Sequence, residues 1–149
     1  MKIAAAIILG LIPLVFGVDK YLLSARRKNG YNKLEQDIND AYSRAKTVRC
    51  DLPEMFEKTA FLRFFNNDCQ INTGEFERYG LDKSDIDIIN ALISAIKKGD
   101  SAAVNEGFSA ALSQISKRKK AAQDYLKTTA SMYLKVSIAL CAAVFLIII

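Results

Sequence analysis

The last eighteen residues, Met132 to Ile149, read MYLKVSIALCAAVFLIII, and they limit what this chain can fold into more than any other stretch. From Val136 onward fourteen residues pass without a charge. With Met132 to Leu134 added, the apolar length approaches the roughly 20 residues that a helix needs to cross a hydrocarbon core. A second apolar run, Ile3 to Val18, follows a single lysine at the other end. A core helix of a soluble domain explains one such run; two, one at each end, point to a polar domain held at a bilayer on both sides. The expected division is an N-terminal transmembrane anchor over 1–20, a cytoplasmic helical bundle over 21–131 and a C-terminal transmembrane helix over 132–149.

Ile3 to Val18 also has the shape of a signal-peptide core. The next three residues, Asp19, Lys20 and Tyr21, lack the small-residue pattern of a cleavage site, so an uncleaved anchor is expected. Orientation comes from the bases beside the two runs. Lys20, Arg26, Arg27 and Lys28 follow the first run, and Lys117 to Lys120, Lys127 and Lys135 precede the second, against Lys2 alone on the other side. The positive-inside rule then places the middle domain in the cytoplasm and both termini outward.

Between the runs the apolar residues recur at helical spacing. Tyr31, Leu34, Ile38, Ala41, Tyr42, Ala45 and Val48 make one stripe after an expected break at Asn29 and Gly30. Asp51-Leu-Pro-Glu54 reads as a helix start, followed by an aromatic face of Phe56, Ala60, Phe61, Phe64 and Phe65. Thr73 to Tyr79 is a short helix closed by Gly80. Asp82 or Ser84 opens the next, with Asp85 and Asp87 in its first turn, Ile86, Ile89, Ala91, Ile93 and Ile96 on its buried side, and Lys97 to Gly99 as its end. From Asp100 or Ser101 to the C-terminus only Gly107 weakens one long helix, whose Val104, Phe108, Ala111, Leu112 and Ile115 face the core. No β-type alternation occurs, so the fold class is all-α: an antiparallel helical bundle between two membrane helices, the last helix running unbroken into lipid.

The chain contains no histidine and no tryptophan, which removes imidazole-dependent zinc sites and Ser-His-Asp or Cys-His catalysis. It also lacks a Gly-rich phosphate loop, HExxH, CxxC and GxSxG. Cys50, Cys69 and Cys141 form no pair or cluster with metal-ligand spacing. No catalytic residue, cofactor or metal is expected, and no enzymatic activity. Asp85 and Asp87, two apart on a helix, lie on different faces and suit a charged first turn better than paired acid-base work. The net charge is +5, and its densest feature is Lys117-Arg118-Lys119-Lys120. Four consecutive helical positions cover all faces, so part of this ridge is solvated or paired. These four residues are the candidate partner-binding site, for an acidic protein partner or lipid headgroups. No aromatic-interleaved basic patch accompanies them, and nucleic acid is not expected.

The layout resembles the stage III sporulation protein AB family, whose soluble part is related to the cytoplasmic domain of type II secretion platform proteins. The likeness is carried by Tyr21 to Arg27 with its Arg-Arg pair, by the Leu34, Ile38 and Ala41 helix leading into Leu52-Pro53, by the Gly99-Asp100 helix start, and by Ala130-Ser-Met-Tyr133 before an apolar tail. It implies a non-enzymatic subunit of the secretion-like channel complex between mother cell and forespore. Such a subunit is anchored in the mother-cell-derived membrane, in company with other membrane proteins of the complex, and coupled on its cytoplasmic side to a secretion-type ATPase. From a different class, a membrane-anchored regulatory adaptor that recruits a soluble factor is the alternative.

Overall fold

The structure of the chain, a computed structural model, describes residues 2–47, 56, 59 and 73–148, and every element among them is helical. In chain order these are α1 (Lys2–Thr47), α2 (Thr73–Arg78), α3 (Lys83–Lys97), α4 (Ser101–Tyr125), a single π-helical turn (Leu126–Ala130) and α5 (Ser131–Ile148). The chain divides into two compact units: Met1–Lys28 with Ala121–Ile149, and Asn29–Lys120.

In α1 and α4 the apolar core of the Asn29–Lys120 unit follows the expected stripes in part, with Tyr42, Ala45, Val104 and Leu112 half-buried. From α1 it takes Tyr31, Leu34, Ile38 and Ala41, and from α4 Phe108, Ala111 and Ile115, all buried. The rings of Tyr42 and Phe108 lie 5.0 Å apart between centroids, tilted by 35°. Phe56 is buried as well, whereas Val48, the Asp51 to Glu54 start signal and the remainder of the aromatic face lie outside the described residues.

Two expectations need correction. No break occurs at Asn29 and Gly30, because α1 is helical from Lys2 to Thr47. Glycine inside a helix costs about 1 kcal/mol relative to alanine. Here packing offsets it: a Cβ on Gly30 would stand 2.9 Å from Tyr79 Cβ and 3.5 Å from the Leu81 side chain, so the missing methyl is the space those residues occupy. The second correction is the phase of α3. Its buried residues are Asp85, Ile88, Ile89, Leu92 and Ile93, while Ile86 and Ile96 are half-buried and Ala91 is exposed. Ile88, Ile89, Leu92 and Ile93 set this phase, and Asp85 lies at its N-terminal end, where a stripe drawn through apolar residues alone leaves it out.

The ends of α3 follow the sequence. Asp82 is the N-cap, its side chain accepting from Asp85 N–H while the Asp85 carboxylate accepts from Asp82 N–H, a reciprocal capping box. At the other end Lys98 is the C-cap and Gly99 adopts φ 72°, a left-handed conformation that glycine takes without a Cβ clash.

In the Met1–Lys28 with Ala121–Ile149 unit the residues buried among the described ones are all small, and every large apolar side chain is half-buried or exposed. Gly17, Ala130 and Ser137 are buried. A Cβ on Gly17 would lie 2.6 Å from Ser137 Cβ and 3.3 Å from the Tyr133 carbonyl, so α1 and α5 approach at a place where only glycine fits. Ser137 returns its hydroxyl to the Tyr133 carbonyl at 2.8 Å, which removes a polar group from an apolar contact. Leu11, Val15 and Phe16 on α1 and Val136, Leu140 and Leu146 on α5 are exposed, Phe16 to 67% and Leu146 to 81%. The run Ser101–Ile147 is long and apolar enough to cross a membrane by length and composition. The expected continuity of the last helix holds, except for the π turn, where Thr128 Oγ donates to the Asp124 carbonyl at 2.7 Å.

Candidate functional site

Lys117 to Lys120 lie near the end of the α4 portion belonging to the Asn29–Lys120 unit. Consecutive residues on a helix point about a quarter turn apart, so the four cannot share one environment, and the structure separates them into two pairs. Arg118 and Lys119 are used internally. Arg118 donates to the Asp85 carboxylate at 2.6 Å and to Ser84 Oγ at 2.6 Å, and lies 3.4 Å from Asp82 Oδ1. Lys119 forms an ion pair with Glu35 of α1. Lys117 and Lys120 are exposed, with no hydrogen bond or ion pair among the described residues.

Asp85 is the residue around which the Arg118 contacts are arranged. It is 0% exposed, and a charge at that depth requires several partners. It has them: Arg118, the Asp82 backbone N–H, and the Tyr31 hydroxyl, which donates at 3.1 and 3.2 Å to the two carboxylate oxygens. One side chain thereby ties α1, the start of α3 and the end of α4. Burial lowers the pKa of Arg118, but the hydrogen bond and charge of Asp85, with a smaller contribution from Tyr31, more than offset it and leave it raised. Arg118 is charged at any pH at which the protein is studied.

Asp85 and Asp87 do face different ways, Asp85 inward and Asp87 to solvent. The first-turn reading of Asp85 is right as far as the capping box goes. Its tie to Arg118 and Tyr31 goes beyond that reading, and the sequence signals only its burial: Asp85 precedes Ile88, Ile89 and Leu92 by three, four and seven residues, the phase of the core. The Gly17 to Ser137 contact has a weaker signal, since small residues in apolar helices are common.

Among the described residues no group of three or more His, Cys, Asp or Glu is arranged to hold a metal ion. Cys141 is a free, half-buried thiol, and Cys50 and Cys69 lie outside the described residues. What the arrangement offers chemically is a helical surface with two uncommitted ammonium groups about one turn apart, Lys117 and Lys120. Compared with protein-family models, with curated proteins and with solved structures, the chain finds no match.

Proposed function

We propose that the chain is a non-enzymatic membrane platform subunit. Its terminal helices are antiparallel transmembrane anchors, its middle part is an antiparallel helical bundle in the cytoplasm, and both termini face outward. The observation that carries this reading is the inverted packing of the terminal unit, with Gly17, Ala130 and Ser137 inside and Phe16, Leu140 and Leu146 outside. Water does not favour that arrangement, whereas in lipid, helices associate through small residues and leave large apolar ones facing the acyl chains. The docking surface for a soluble partner narrows to Lys117 and Lys120, because Arg118 and Lys119 are held by Asp85 and Glu35. The biological setting is taken from the resemblance alone: the sporulation channel complex, with a secretion-type ATPase as the docked partner and the mother-cell-derived membrane as its location. The regulatory adaptor reading draws support from the separate core of the Asn29–Lys120 unit, which suits a module that works on any anchor.

The test is an affinity pull-down of the tagged full-length chain from detergent-solubilised membranes of sporulating cells, beside a Lys117→Glu, Lys120→Glu variant. Recovery of a secretion-type ATPase with the parent chain and its loss with the variant is the expected result. A chain that carbonate washing strips from the membrane overturns the anchored reading altogether. A chain that stays in the membrane and recovers no ATPase from either sample overturns the platform reading and leaves the adaptor.

A further inference from the structure

The chain's net charge is distributed unevenly between its two units. Asn29–Lys120 contains fourteen basic and fourteen acidic residues, whereas Met1–Lys28 with Ala121–Ile149 contains seven basic and two acidic. The whole positive excess therefore belongs to the unit with the outward-facing apolar side chains. We propose that Lys20, Arg26, Lys28, Lys127 and Lys135 form a basic collar that binds the headgroups of anionic phospholipids. This rests on the membrane reading above and goes beyond it, since a bilayer anchor needs no preference among lipids.

The placement of the five residues supports the inference. On α1, Lys20 to Lys28 follow the end of the apolar run at Val18 by two to ten residues, which is about 3 to 15 Å at the helical rise. On the other side, Lys135 and Lys127 precede Val136 by one and nine residues, about 1.5 and 14 Å. The Gly17 to Ser137 contact sets the two series at one level, Lys20 three residues and Lys135 two residues from it. Lys20 and Lys135 then stand in the headgroup layer, roughly 5 to 8 Å thick on each side of a bilayer. Their long side chains reach toward it, and Arg26, Lys28 and Lys127 lie within about one Debye length of it at physiological salt.

None of the five is committed elsewhere. Lys20, Arg26, Lys127 and Lys135 are exposed and Lys28 is half-buried, and among the described residues none has a hydrogen bond or ion pair through its side chain. The two acids of the unit, Asp19 and Asp124, are exposed and do not pair with them. This contrasts with Arg118 and Lys119, where a carboxylate of the protein already meets the base. Phosphate groups of an acidic lipid are the complementary partner at that height.

The experiment reconstitutes the full chain into vesicles of phosphatidylcholine with and without roughly one part in four of phosphatidylglycerol. Spin-labelled versions of the two lipids then report their relative association with the protein. The parent chain is expected to prefer phosphatidylglycerol by at least about threefold, well below the roughly fivefold that each base near an anionic surface contributes. The preference should disappear in the Lys20→Gln, Arg26→Gln, Lys28→Gln, Lys127→Gln, Lys135→Gln variant. It should also fall for the parent chain in high salt, a measurement that holds even if the variant folds poorly. Equal association of the two lipids with the membrane-embedded parent chain overturns the collar while sparing the anchor. So does a preference that neither the substitutions nor salt reduces. A chain that does not enter either bilayer overturns the membrane reading and the collar with it.

Discussion

The two units place the same residue types in opposite ways. In Asn29–Lys120, Phe108, Ile38 and Leu34 are fully buried and acids balance bases. In the terminal unit, Phe16, Leu140 and Leu146 face outward, glycine and serine make the close contact, and the bases exceed the acids. Each pattern suits a different surrounding. In water, burial of a large apolar side chain supplies about 1.5 to 3 kcal/mol, so the large residues go inside. Between helices in lipid that gain is absent, and close backbone approach and good van der Waals contact decide the interface. One chain thus has two kinds of core, and substitutions distinguish them.

The largest contrast is between two phenylalanines. Phe108→Ala removes a ring that is 0% exposed and touches Tyr42, and should destabilise the Asn29–Lys120 unit by about 3 to 5 kcal/mol. Phe16→Ala, at a position 67% exposed, should change stability in detergent by less than about 0.5 kcal/mol. Denaturant unfolding of both variants, followed by far-ultraviolet circular dichroism, measures the pair. Similar losses in the two would mean that Phe16 is a core residue and that the inversion of packing is wrong.

Next comes the carboxylate that Arg118 holds. Asp85→Asn leaves the guanidinium with only the exposed Asp82 carboxylate, 3.4 Å away, as a charge partner, and weakens the capping box. The bond counts for more than a surface pair because Asp85 is buried, and for less than a fully buried one because the Arg118 side chain is 32% exposed, so about 2 to 3 kcal/mol is expected. Tyr31→Phe removes only the neutral donor and should cost about 1 kcal/mol. The pH dependence has a definite sign on the basic side. Arg118 has a raised pKa in the folded chain, so its contribution is complete below the ordinary arginine range and is lost only as pH rises through the raised value. Between about pH 7 and pH 10 the difference between parent and Asp85→Asn should not shrink through loss of charge on Arg118. If it vanishes over that interval, the ion pair is not what stabilises this corner.

In the terminal unit the corresponding experiment adds volume. Gly17→Leu forces a branched side chain into the space of Ser137, and overpacking of that kind costs about 1 to 3 kcal/mol. The loss should appear as a lower unfolding temperature in detergent, while Gly10→Leu, on the same apolar run, serves as a comparison. If Gly17→Leu leaves the unfolding temperature unchanged, α1 and α5 do not meet at that point.

The same contrast explains why some of this was legible in the sequence and some was not. The stripe Tyr31, Leu34, Ile38 and Ala41 and that of Phe108, Ala111 and Ile115 are apolar residues at helical spacing, the pattern of a helix with one buried face. The ends of α3 were legible because Asp82 and Gly99 have backbone roles that few residue types fill. Three features were not. The partner of Asp85 is one: its spacing to Ile88, Ile89 and Leu92 places it in phase with the core, but Arg118 lies thirty-three residues away and no local pattern specifies that pairing. Helix continuity through Gly30 depends on Tyr79 and Leu81 arriving from a distant part of the chain. The division of the Lys117 to Lys120 ridge into held and uncommitted bases depends on Glu35 and Asp85 in the same way, and a run of four like charges contains no mark of it.

The smallest effect tests that division. Lys119 and Glu35 are each partly exposed, so their ion pair is worth only about 0.5 kcal/mol in ordinary buffer, and salt should reduce it. Lys119→Ala and Glu35→Ala combined with the double variant isolate the coupling, because each single change also removes packing along a side-chain stem. Lys117→Ala and Lys120→Ala should show no coupling with Glu35 and almost no loss of stability, since neither has an ion pair among the described residues. A coupling of Lys120 with Glu35 as large as that of Lys119 would mean that the two bases exchange in solution. The uncommitted pair would then be Lys117 with either Lys119 or Lys120, Arg118 staying with Asp85, and charge density rather than the Lys120 position would define what the ridge offers to a partner.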